Sequence, residues 1–143
     1  MANNIVYSPV IAATLPAFTT EQIIIPFAHN PAVAADEVDR FVIIFKDTNT
    51  SQILLTVQTN KLLTKDEIIT QQIVYNFTTT EQSVLATNTS YKVQVAYLGD
   101  GQAIADIRWS TVGIARCITK PTLYLAVGKQ TTLQGIQNNL VFS

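Results

Sequence analysis

The stretch Leu85-Ala86-Thr87-Asn88-Thr89-Ser90-Tyr91-Lys92-Val93-Gln94-Val95-Ala96 decides the fold. From its middle onward, Tyr91, Val93, Val95 and Tyr97 alternate with Lys92, Gln94 and Ala96. A period of two sends successive side chains to opposite faces of an extended chain, so this is a strand with one apolar face. Thr87-Asn88-Thr89-Ser90 precedes the strand and Gly99-Asp100-Gly101 follows it. Short polar side chains bond to their own backbone and glycine accepts left-handed conformations, so both segments read as turns.

Working outward, the same period recurs. Phe41, Ile43 and Phe45 fall on one face of a strand and Val42 and Ile44 on the other, which predicts a strand covered on both sides. Ile53, Leu55 and Val57 alternate with Thr56 and Gln58, and Ile73, Tyr75 and Phe77 alternate around Asn76. Val112 and Ile114 continue the pattern towards Cys117, and upstream Ile23, Ile25 and Phe27 alternate with Gln22 and Ile24. The polar connection Asp47-Thr48-Asn49-Thr50-Ser51 has hairpin length. About seven strands are expected, over residues 5–14, 21–27, 41–46, 52–58, 71–77, 91–98 and 111–118. Helix is expected only as a short stretch over residues 34–40 and a single turn that Thr64 could cap. Short strands without long intervening helices mean an all-β sandwich or barrel; alternation alone does not give strand order, so a jelly roll fits the same pattern.

Pro9, Pro16, Pro26 and Pro31 crowd the first quarter, and proline belongs at strand edges and ends. Residues 1–15 are therefore expected to form an edge strand or arm, and residues 16–120 the sandwich. Lys120-Pro121-Thr122 reads as a linker, so residues 121–143 are expected to be an extension or the start of a second β domain.

The 143 residues are 48% apolar and 13% charged, with a net charge of −1. That charged share is about half the usual one. Nothing resembles the basic footprint of a nucleic-acid binder. A surface so poor in charge is weakly protected against association, which points to a protein that works in an assembly. Cys117 is the only cysteine, so no intrachain disulfide can form. Met1-Ala2-Asn3-Asn4 lacks a basic opening, so no signal peptide is expected, and no uncharged apolar run reaches the roughly 18–20 residues of a membrane span.

The stretch from Leu85 to Ala96 resembles the E–F corner and F strand of fibronectin type III domains: a Leu, a short polar turn, then Tyr-x-Val-x-Val-x-Ala. The resemblance implies a fibronectin type III-like, immunoglobulin-like antiparallel β-sandwich. Leu85, Tyr91, Val93 and Val95 would form its structural corner, with the Tyr91 ring inside and its hydroxyl bonded back to the backbone upstream. Trp109-Ser110-Thr111-Val112 is similar to the approach to the family's last strand. One departure stands out: the family usually buries a tryptophan on its second strand, where this chain has Ile23, Ile24, Ile25 and Phe27.

Leu15-Pro16-Ala17-Phe18, Ile25-Pro26-Phe27 and Asn30-Pro31 are similar to the openings of bacteriophage virion proteins that carry such domains. This resemblance implies a virion structural protein of a tail, fibre or capsid decoration, made in the host cytoplasm. It would act as a homo-oligomer and bind other virion subunits. The alternative is a module that binds a host-surface glycan, for which Trp109 would be the ligand platform.

Chemistry has few candidates. His29 is the only histidine, and it stands before Asn30-Pro31 in a turn without a Gly-x-Ser-x-Gly elbow anywhere in the chain. Cys117 adjoins Arg116, whose charge could lower a thiol pKa, but a small residue in an apolar strand reads first as core. Asp36, Glu37 and Asp39 cluster beside Arg40 without the spacing or glycine of a calcium loop. Asp66-Glu67 and Asp100 are isolated acids. Asn49-Thr50-Ser51, Asn76-Phe77-Thr78 and Asn88-Thr89-Ser90 match glycosylation acceptors but read more simply as turn and strand residues. The expectation is a chain that is not an enzyme and needs no metal or cofactor.

Overall fold

The computed structural model describes residues 4–62, 68 and 70–120. Among them the alternating stretches form six strands: β1 (Gln22–Pro26), β2 (Val38–Asp47), β3 (Ile53–Gln58), β4 (Gln72–Asn76), β5 (Thr89–Gly99) and β6 (Gly113–Cys117). They make two antiparallel sheets, one of β1 and β4 and one in the order β3-β2-β5-β6. Polar turns set the register. In the β2–β3 hairpin the Asp47 carboxylate accepts the N–H groups of Asn49 (2.8 Å) and Thr50 (3.0 Å), and Ser51 takes a positive φ of 60°. These donors hold the Asp47 carboxyl below its ordinary pKa.

The two sheets face each other across one core. Ile23 and Ile25 of β1 and Ile73 of β4 meet Phe41, Ile43 and Phe45 of β2 and Val93 and Val95 of β5, all essentially inaccessible to solvent. Each such side chain contributes about 1.5–3 kcal/mol through burial. Aromatic rings bridge the layers: Phe18 lies 5.8 Å from Phe45 and 6.1 Å from Phe77, and Phe27 meets Phe41 edge-on at 5.2 Å. The architecture is an all-β sandwich compatible with an immunoglobulin-like or fibronectin type III-like fold.

The prediction that β2 is covered on both faces holds. Val42 and Ile44 point away from the main core yet are buried. A second, smaller cluster of Val42, Ala96, Leu98 and Ile107 forms there, because the connection between β5 and β6 folds back over the outer face.

Residues 5–14 are not a continuous strand. They make one antiparallel bridge, Val10 to Ala28, and Thr14 and Phe18 then bridge in parallel to Ile114 and Cys117. Proline has no N–H to give, so Pro9 and Pro16 break any ladder here. The segment instead crosses from the β1 side to the free edge of β6. There Leu15 N–H donates to Ile114 O (2.9 Å) and Phe18 N–H to Arg116 O (2.9 Å). Ile5, Ile11 and Leu15 join the same core as the strands.

The expected helix over residues 34–40 shrinks to a 3-10 turn, Ala35–Glu37. Val38 onward pairs with β5, at Val38–Gly99 and Arg40–Leu98, and sheet pairing overrides a weak helical preference. A four-residue helix α1 (Thr79–Gln82) was not foreseen. Its signal was present as Thr78-x-x-Glu81: Glu81 N–H donates to Thr78 Oγ1 (3.2 Å), and Thr78 N–H donates to Glu81 Oε1 (2.9 Å). The turn expected at Thr64 and the extension over 121–143 lie outside the described residues.

Candidate functional site

The turn that leads into β5 is built from backbone geometry and one phenol. Asn88 holds a positive φ of 60°, which asparagine tolerates better than most residues, and this turns the chain into β5. Tyr91 is 3% exposed and packs 6.2 Å from Phe18, while its hydroxyl accepts the N–H of Ala86 at 2.8 Å. Leu85, Val93 and Val95 are buried in the same core. This turn fixes the entry to β5, the longest strand among the described residues; its groups are consumed in holding the fold.

Trp109 is half-buried against the outer cluster of Val42, Ala96, Leu98 and Ile107. Ser110 pins the segment that carries it. Ser110 N–H donates to Val95 O (2.8 Å), Val95 N–H donates to Ser110 Oγ (3.0 Å), and Gln94 Nε2 donates to Ser110 O (2.7 Å). The indole therefore closes an outer hydrophobic cluster and shows only part of its surface to solvent.

His29 is structural in its contacts. Its Nε2 lies 2.8 Å from Val33 O and its Nδ1 lies 2.8 Å from the Tyr97 hydroxyl, which also accepts the N–H of Asn30 at 2.8 Å. One tautomer satisfies all three contacts: Nε2–H donates to Val33 O and Nδ1 accepts from Tyr97. Burial raises the Tyr97 pKa above its ordinary value, so the phenol keeps its proton for this bond. The network ties β5 to the loop after β1.

Cys117 is fully buried, and burial pushes its thiol pKa up, away from the reactive thiolate. Asp39 pairs with Arg40 (3.2 Å) and Lys61 (3.6 Å), and Glu37 accepts the N–H of Ala34 (3.1 Å). Asp100 is exposed, and Asp66 and Glu67 lie outside the described residues. Among the described residues no group of three or more His, Cys, Asp or Glu side chains could hold a metal ion, and no helix is long and apolar enough to cross a membrane.

One residue that sequence reading passed over is central. Gln102, 7% exposed, accepts the N–H groups of Gly99 (2.9 Å) and Ile5 (3.3 Å) through Oε1. Its Nε2 donates to Ile5 O (3.1 Å) and Asp106 O (3.3 Å). It fastens the N-terminal segment to the end of β5. A glutamine in a polar loop carries no pattern that announces such a role.

Two surface features remain. Ile24 of β1 stands opposite Val74 of β4 on the outer face of the smaller sheet, 40% and 47% exposed, and Val10, 58% exposed, continues this face beside Ala28. Their neighbours on it are Gln22, Pro26, Gln72 and Asn76, so the face carries no charge. A groove of about 360 Å³ opens beside β4, lined by Phe41, Thr59, Leu62, Gln72, Ile73 and Val74 among others, and no described residue lining it is titratable.

No protein-family model matches the chain, and no curated protein is significantly similar to it.

Proposed function

We propose that this chain is a non-enzymatic structural module of a virion, a component of a bacteriophage tail, fibre or capsid decoration that acts through contacts with neighbouring subunits. The observation that carries the reading is the uncharged outer face of the β1–β4 sheet, where Val10, Ile24 and Val74 stand exposed. Exposed apolar side chains set against each other on an uncharged face favour contact with another molecule. The chain's 13% share of charged residues supports the same reading, since little opposes close contact between subunits.

Within the sandwich, the finer assignment is to the fibronectin type III type. The larger sheet follows the order expected of strands G, F, C and C′, and the Tyr91–Ala86 bond lies where that family places its corner. The phage assignment rests on the proline-rich opening motifs and on a sandwich with a single, buried cysteine. Mass spectrometry of purified particles from the source tests it. Peptides of this chain should be present at a fixed ratio to the other virion proteins; their consistent absence from intact particles would end the virion reading.

A further inference from the structure

We infer that the outer edge of β3 is a pairing site for a second copy of this chain. This inference rests on the assembly reading and names one of its surfaces. β3 pairs only with β2 on its inner side, and among the described residues nothing pairs with its outer edge. Backbone groups alternate in direction along a strand. Thr59 N–H donates to Phe41 O, so in that alternation Val57 and Leu55 face β2, and the amides and carbonyls of Thr56 and Gln58 point outward. A row of unpaired backbone groups is a template for another strand.

The strand is not defended. Ile53-Leu54-Leu55-Thr56-Val57-Gln58 contains no charge and no proline, and Ile53 and Leu54 are 53% and 38% exposed. Its one protective device is the bulge against Phe45 and Lys46, which distorts only the Ile53–Leu54 end. The Thr56–Gln58 half stays regular.

A second copy is the occupant because the strand is complementary to itself. An antiparallel pair centred on Val57 sets Thr56 opposite Gln58 of the copy, so the outward groups of both are satisfied at once. Val57 then meets its counterpart on the inner face and extends the core. No like charges oppose each other in that register, and a net charge of −1 gives the two copies little mutual repulsion. The opposite edge of the same sheet is already covered, since the segment through Leu15 and Phe18 bonds to β6. Addition therefore stops at two copies, a closed twofold contact rather than a fibre.

Light scattering on the full chain over a wide concentration range tests this. The mass should rise from that of one 15.7 kDa chain to that of two. Thr56→Pro removes an outward N–H that β2 does not use, and an edge strand tolerates proline there, so the monomer should keep its circular dichroism and unfolding midpoint while association weakens at least tenfold. Thr56→Lys, a milder change at an exposed side chain, should weaken association too by bringing two like charges close across the twofold axis. A wild-type mass of one chain at every concentration overturns the inference while leaving the virion reading to the particle measurement. An oligomer whose mass neither folded variant alters also overturns it, and places the subunit contact elsewhere.

Discussion

The hydroxyl of Tyr91 accepts the backbone N–H of Ala86 at 2.8 Å, five residues upstream, and so closes the corner before β5. The ring is already held by Phe18 and the core, so the hydroxyl can be removed with little change in packing. Tyr91→Phe removes the acceptor of the Ala86 N–H at an exposed residue that water can reach, which should cost about 0.5–1.5 kcal/mol. Denaturant unfolding should show a lower midpoint with an unchanged slope. Tyr7→Phe, at a side chain 49% exposed, should leave the midpoint within error.

Gln102 connects elements 97 residues apart. Gln102→Leu keeps the volume and removes every side-chain bond, stranding the N–H groups of Ile5 and Gly99. The loss should be about 2–4 kcal/mol, since two buried donors are orphaned and a charged-group contribution is absent. The decisive readout is local: hydrogen exchange at Ile5 should accelerate far more than at Val93 in the centre of β5. Equal acceleration at both would mean that Gln102 contributes only to global stability.

Most of the strand plan was legible because alternation is a local signal. The ranges expected for β1 and for β3 to β6 lie within a few residues of those observed, and only β2 starts clearly earlier, at Val38. The bond from Ala86 N–H to the Tyr91 hydroxyl joins residues five apart, a separation short enough for a local pattern to suggest. What escaped depends on distant partners. Nothing local tells Gln102 that Ile5 will lie beside it, or His29 that Tyr97 will supply a hydroxyl. The N-terminal segment reads as an edge strand or arm because its apolar residues suit either, and it makes only isolated bridges where Pro9 and Pro16 interrupt a ladder. The face of Ile24 and Val74 was hidden for the opposite reason. Each reads as an ordinary strand residue until the register sets one against the other.

Gly113 sits where the N-terminal segment presses on β6. A Cβ there would lie 2.7 Å from Ala12 O and 2.9 Å from Leu15 Cγ. The first contact is with backbone, so the segment itself must move. Gly113→Ala should cost about 1–3 kcal/mol through overpacking. It should also lengthen the bonds from Leu15 to Ile114 and from Ile114 to Ala13, which hydrogen exchange at Leu15 and Ile114 would reveal. Unaltered protection at both amides would show that the segment yields without leaving the edge.

Tyr75 gives the fold a weakness at high pH. Its hydroxyl donates to the Glu81 carboxylate at 2.7 and 2.9 Å. Burial first, and then the bond to Glu81 and its negative charge, raise its pKa from the ordinary 10.0 to about 12. In the unfolded chain the phenol ionises near its ordinary value, so between the two values the unfolded state binds fewer protons than the folded one. Stability must then fall with rising pH across that window and level off above it. Tyr75→Phe has no proton to lose, so its stability should decline less steeply than the wild type's between about pH 10 and pH 12. Parallel unfolding free energies for the two proteins through this window would mean that the Tyr75–Glu81 bond does not survive in solution. Glu81→Gln separates the causes: it removes the charge but keeps an acceptor, so the wild-type decline should shrink without vanishing, because burial remains.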